Sequence, residues 1–149
     1  MDAESRLLLG NLIRNERVAH LATLRDAAPM VSMTLYMPER DFSAFYVHVS
    51  RLAWHTQDMQ RDPHVALSIS ERDDGRADPF TLMRVTLRGE AEQISGGPRE
   101  AWLERFPEQE INFRLADFSF WKITLRDARF VAGFGRIYNV SAAELKTLG

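Results

Sequence analysis

The residues best suited to chemistry lie between Val47 and Pro63, in VHVSRLAWHTQDMQRDP, where the pattern changes from alternation to helical spacing. Ser50 and Thr56 bring hydroxyls, Arg51 a guanidinium and His55 an imidazole. Before them, Phe45, Val47 and Val49 alternate with Tyr46 and His48, as in a half-buried strand. After them, Leu52, Ala53, Thr56 and Met59 recur at roughly helical intervals until Asp62-Pro63 stops the run. Ser50 reads as the N-cap of that helix. Such polar groups, added to backbone amides with no partner inside the helix, suit an anion and above all a phosphate. A serine cap followed by a solvated arginine and histidine is also how an ordinary helix begins, and residue types alone leave both readings open.

Other candidates are weaker. Gly133 and Gly135 in GFGRIY lack the third glycine and the long following helix of a dinucleotide loop, and read as a strand end where the backbone comes close to something. Arg84 interrupts an apolar strand, Leu82-Met83-Arg84-Val85-Thr86-Leu87, and either sits on a solvated face with Thr86 and Arg88 or reaches a ligand. His20, His48, His55 and His64 show no pair at helical i, i+4 spacing, so no dedicated metal site is expected. No nucleophile–base pair is recognisable, and no catalytic residue is assigned.

These groups must be positioned by a mainly β framework. Glu4 to Arg14, with Leu7, Leu8 and Leu12 on one side, predicts a short amphipathic helix lidding the core. Val18–Leu24 and Met30–Met37 predict a hairpin, the second strand setting Val31, Met33, Leu35 and Met37 on an apolar face against Ser32, Thr34 and Tyr36. Further strands are expected up to Ser50, at Val65–Ser70, at Thr81–Ile94 with a bulge at Gly89, and at Phe118–Leu125, where Trp121, Ile123 and Leu125 share a face. Gly96-Gly97-Pro98 opens a helix carrying Trp102, Leu103 and Phe106, and Ser141 with Glu144 forms a capping box. Short strands with hairpin-length connections favour an antiparallel barrel over a doubly wound sheet.

At 149 residues the chain is expected to be a single domain, 1–149, with a sizeable core. A net charge of −2 gives no electrostatic reason to expect nucleic acid or an anionic membrane as partner. No run is long and apolar enough to span a bilayer and the first residues lack a leader pattern, so a cytoplasmic location is expected. The absence of cysteine excludes disulfides, thiol catalysis and cysteine metal sites.

SRLAWHTQDMQRDPHVALSI, with RVTLRGEAE and DFSFWKITLRDARFVAGFGRIYNV, closely resembles the flavin-binding split-barrel proteins related to pyridoxamine 5′-phosphate oxidase, in the branch that includes haem-utilisation proteins. The resemblance runs from about Glu16 to Val140 and implies a six-stranded antiparallel split β-barrel with short flanking helices. It implies FMN as cofactor, its phosphate held by Ser50, Arg51, His55 and Thr56 with Arg84, and its ring lined by Val31, Ser32 and Met33. Val47, Ala53, Gly135 and Arg136 join that set by the same resemblance. Trp121 stands where the branch often has a basic residue. The implied function is that of an FMN-dependent oxidoreductase acting on a small molecule, with a haem-binding or haem-degrading protein, or a non-catalytic flavin module, as the alternatives. Haem turnover is expected not to be the main activity, since the haem-degrading relatives look longer at the C-terminal end and no histidine follows His64. A homodimer with its sites at the interface is also implied, Trp54, Trp121 and Phe134 reading as exposed aromatics that would serve it.

Overall fold

The computed structural model describes residues 1–149. Helix α1 spans Ala3–Asn15 and opens on Asp2, whose carboxylate accepts a hydrogen bond from the Ser5 amide at 2.7 Å. Leu9, Leu12 and Ile13 enter the core and Leu8 packs against it, so α1 is the expected lid, but Leu7, expected on the apolar side, turns outward at 63% exposure. Strands β1 (Val18–Arg25) and β2 (Ala28–Leu35) pair in register from Val18↔Leu35 to Arg25↔Ala28. The two residues between them, Asp26 and Ala27, both take positive φ (52° and 63°), the backbone that a tight two-residue hairpin requires.

Beyond Tyr36 the chain bends into β3 (Met37–Pro38) and returns as β4 (Ala44–Ser50). Helix α2 (Trp54–Arg61) leads to β5 (His64–Ser70) and, after a polar loop, to β6 (Arg84–Gln93). Helix α3 (Arg99–Arg105) and a 3-10 segment (Pro107–Arg114) intervene before β7 (Phe118–Val131), β8 (Ile137–Ser141) and α4 (Ala142–Lys146). The hydrogen-bonded order is β2-β1-β5-β6-β7-β4-β3, with β8 added to β7, and every pairing is antiparallel. Since β3 continues β2, the path curls back on its own starting strand, and the barrel is split where β2 parts from β4. The expected six strands become eight because the bend at Tyr36 divides one strand in two and the glycine turn at 132–136 releases β8.

Leu21, Phe45, Val47, Leu67, Leu87, Ile123 and Phe130 fill the interior, all fully buried. Gly89 makes the expected bulge, with the β6–β7 register shifting between Arg88 and Gly89, and a Cβ there would collide with the Thr124 carbonyl. A second aromatic cluster of Trp102, Phe106, Phe120 and Met37 packs outside β4 and β7 beneath α3.

Two expectations about faces are corrected. On β2 the apolar set turns outward, leaving Val31 59% and Met33 62% exposed, while Thr34 and Tyr36 are buried. Tyr36 can go inside because its hydroxyl donates to the Ile13 carbonyl at 2.8 Å. Trp121 is also buried rather than exposed, whereas Trp54 and Phe134 are exposed as expected.

Candidate functional site

A slot of about 280 Å³ opens in the split, bordered by Met33 and Leu35 of β2, His48 and Ser50 of β4, and Ala53 and His55 at the entrance of α2. Its inner wall comes from Trp102, Gln109 and Asn112, in the excursion between β6 and β7, and from Phe118, the first residue of β7.

Ser50 is the last residue of β4 and not the cap of α2; the cap position belongs to Ala53. The reason is a partner far away in sequence: Ser50 Oγ donates to Asp117 Oδ2 at 2.5 Å and accepts from the Leu52 amide at 3.1 Å, so the chain turns for three more residues before the helix starts. The Arg51 amide adds a 2.8 Å bond to the Asp117 carbonyl. Thr56, expected to face the phosphate, is buried and donates its hydroxyl to the Ser50 carbonyl at 2.6 Å, which ties helix to strand. With alanine at the cap, α2 has no side-chain hydrogen bond at its N-terminus, and the amides of its first turn keep their donors and positive partial charge for a ligand. Arg51 lies exposed beside them.

The other end of α2 is fixed to β1. Asp58 is 1% exposed, accepts from Thr23 Oγ1 at 2.8 Å, and lies 2.8 Å from Arg25 Nε. That last contact is well placed for charge but off the line of a good hydrogen bond.

Burial disfavours the charged form of both histidines of the slot. His48 stacks on Phe113 at 4.2 Å between ring centroids, its Nδ1 is buried without a partner, and burial pulls its pKa down to about 4. His55 is also lowered by burial, with Asp58 opposing the shift. His20 and His64 lie exposed away from the slot, His64 with its Nδ1 2.7 Å from Asp62.

The remaining expected residues divide between two places. Met33, Ser50, Ala53 and His55 meet in the slot, with Val31 and Ser32 beside Met33 on β2. Val47 points into the core and offers only its backbone. Arg84, Gly135 and Arg136 do not line the slot. Arg84 borders a larger depression of about 900 Å³ on the outer sheet face, with Arg88 and Arg129, and donates to the carbonyls of Phe80 and Leu82 at 3.0 and 2.9 Å. Arg136 donates to Ser5 Oγ at 2.6 Å and pairs with Glu4 at 3.3 Å on α1, and Gly135 (φ 76°) sits in the exposed turn before it. Sequence reasoning missed Trp102, Gln109, Asn112 and Phe118 as slot residues. The available signal was a run of aromatics and side-chain amides from 102 to 118 with no periodicity of its own.

The chain is 25% identical over 142 residues to the haem oxygenase HutZ of Vibrio cholerae, covering 89% of this chain and 79% of that protein. It is 33% identical over 113 residues to the non-canonical haem oxygenase HOZ, chloroplastic, of Arabidopsis thaliana, covering 72% of this chain and 33% of that one. The solved structure of a haem binding protein from Mycobacterium smegmatis superposes with a TM-score of 0.86 at 25% identity, over 99% of this chain and 62% of that chain. The chain thus spans about a third of the Arabidopsis protein and less than two thirds of the mycobacterial one. Residues 9–132 match the model of the family described as Pyridoxamine 5′-phosphate oxidase, and the chain, whose split barrel carries that match, belongs to this family.

Proposed function

We propose that the chain binds haem at the slot between β2 and β4, as the names of its relatives in Vibrio, Arabidopsis and Mycobacterium favour. This reverses the order expected from sequence, in which flavin stood first. The observation that carries the reading is His55, a half-buried imidazole that lines the slot together with Met33 and whose charged form is disfavoured by burial. A neutral imidazole is the form that ligates iron. The exposed apolar side chains Val31, Met33 and Leu52 suit the face of a macrocycle, while the uncapped α2 and Arg51 suit propionates. His48, with its unpartnered Nδ1, is the second candidate ligand.

The second reading, FMN, draws on the family match and on the same uncapped helix, where a phosphate would take the place of the propionates. A flavin would then supply hydride or electron chemistry, as in an oxidoreductase, and the protein would position it.

A slot of about 280 Å³ is small for either group, since pockets that enclose such ligands run to about 300–1,000 Å³. A second copy supplying the rest of the wall accounts for this, and a homodimer would let Arg84, on β6, three strands along the sheet from β2 in its own chain, serve the partner's slot. Light scattering on ligand-loaded protein should give twice the chain mass; a monomer with ligand bound removes this part.

The test of function is spectroscopic. Haemin titrated into the protein should give a saturable, shifted Soret band that His55→Ala abolishes or moves, and the spectrum of freshly purified protein distinguishes haem from flavin. A saturable FMN complex without haemin uptake would replace the leading reading by the second. An unchanged Soret shift in both His55→Ala and His48→Ala would remove the assigned ligands. Loss of the Soret band with reductant and dioxygen, yielding an open-chain tetrapyrrole and released iron, would extend binding to turnover.

A further inference from the structure

Of the three tryptophans, Trp102 and Trp121 are buried at 1% and 3% exposure, while Trp54 at the first position of α2 is 56% exposed. An exposed indole normally samples several rotamers, yet this one is gripped. The Arg25 guanidinium lies over the ring at 4.1 Å from its centroid and reaches the Trp54 carbonyl at 3.4 Å and Gln57 Oε1 at 3.3 Å. Arg25 is itself fixed by Asp58, and Asp58 by Thr23. A carboxylate this deeply buried is a poor source of stability compared with an apolar residue of similar size. What the chain Thr23–Asp58–Arg25 does achieve is geometric, because it sets one guanidinium plane against one indole.

Arg25 covers one face of the ring and leaves the rest to solvent. Trp54 does not itself line the slot; it lies at its rim, flanked in sequence by Ala53 and His55, which do, and near Leu52, 71% exposed. A cation behind the ring draws π density away from the open side, which favours an electron-rich planar partner there.

We propose that Trp54 is a stacking wall for a planar conjugated ligand and that Arg25 and Asp58 are positioning residues acting through it. This deepens the reading given above and rests on it.

The experiment titrates haemin into wild type, Trp54→Ala, Arg25→Ala and the double variant, following the Soret band. Indole N–H resonances of the ligand-free proteins are recorded alongside, and thermal unfolding monitors the fold. Loss of the wall should weaken haemin binding about tenfold, equivalent to about 1.4 kcal/mol. Arg25→Ala should weaken it similarly, and the double variant no further than Trp54→Ala. In Arg25→Ala the Trp54 indole signal should shift and sharpen while those of Trp102 and Trp121 stay in place. Arg25→Lys keeps a cation for Asp58 but lacks the plane, so it should fold like wild type and still bind weakly; it serves if Arg25→Ala does not fold. Wild-type affinity in Trp54→Ala overturns the wall alone. Additive losses in the double variant overturn the positioning role. A wild type that takes up no haemin overturns the binding reading and the wall together, and that result is visible before any variant is made.

Discussion

His48 gives the protein a stability that should depend on pH in a window set by one ring. Its imidazole ordinarily titrates near 6.5 and is pulled down to about 4 in the fold, because it is wedged among Phe113, Phe118, Phe120 and Trp102. Between those two values the unfolded chain holds a proton that the folded chain refuses. The contribution is therefore fully present above pH 6.5, is lost progressively as pH falls towards 4, and changes no further below that. At about 1.36 kcal/mol for each tenfold change in proton affinity, the fall from 6.5 to about 4 sets a ceiling of roughly 3.4 kcal/mol. The ring is only partly shielded from solvent, which brings the expected loss to about 2 kcal/mol. His48→Phe preserves the stacked plane and cannot titrate. Urea unfolding at pH 7.5 and pH 4.5 should show a drop for wild type that exceeds the variant's by about 2 kcal/mol, the variant retaining whatever His55 and the carboxylates contribute. Equal drops in the two proteins would refute the assignment of the proton to His48.

Two further expectations concern the framework. Gly89→Ala puts a methyl group against the Thr124 carbonyl inside the β6–β7 ladder, where neither strand can yield, and should lower stability by about 3 kcal/mol or more by chemical denaturation. Arg105 donates to the carbonyls of Tyr36 and Arg14, each at 3.0 Å, and to that of Glu16, closing the end of α1 onto the bend between β2 and β3. Arg105→Ala should cost about 2–3 kcal/mol, seen as a drop in Tm with little change in the secondary-structure signal.

The parts of the fold that were legible in the sequence are those written in local patterns. The β1–β2 hairpin and the capping box of Ser141 with Glu144 depend on neighbours a few residues away, and the Gly89 bulge shows as a lone glycine inside a strand pattern, although the Thr124 carbonyl it accommodates belongs to β7. Ser50 was misread because its hydroxyl partner, Asp117, lies 67 residues downstream, and no local rule anticipates such a bond. The outward turn of Val31 and Met33 was missed for a related reason: alternation identifies two faces but not which is inside, and here a tyrosine anchored by the Ile13 carbonyl decides it. That a helix carrying His55 begins shortly after the strand ending at Ser50 was readable. The inner wall of the slot was not, because Trp102 to Phe118 reach it through tertiary packing alone.

The split between β2 and β4 has another consequence. Strand β2 is paired on one side only, with β1, so its other edge presents every second N–H and C=O towards the opening, and Val31 and Met33 add apolar side chains to the same strand. An edge of this kind is a template for any extended chain of matching length. Anything seated in the split would shield this ladder, so the protein with an open split should, at high concentration, be the form most prone to strand addition and self-association.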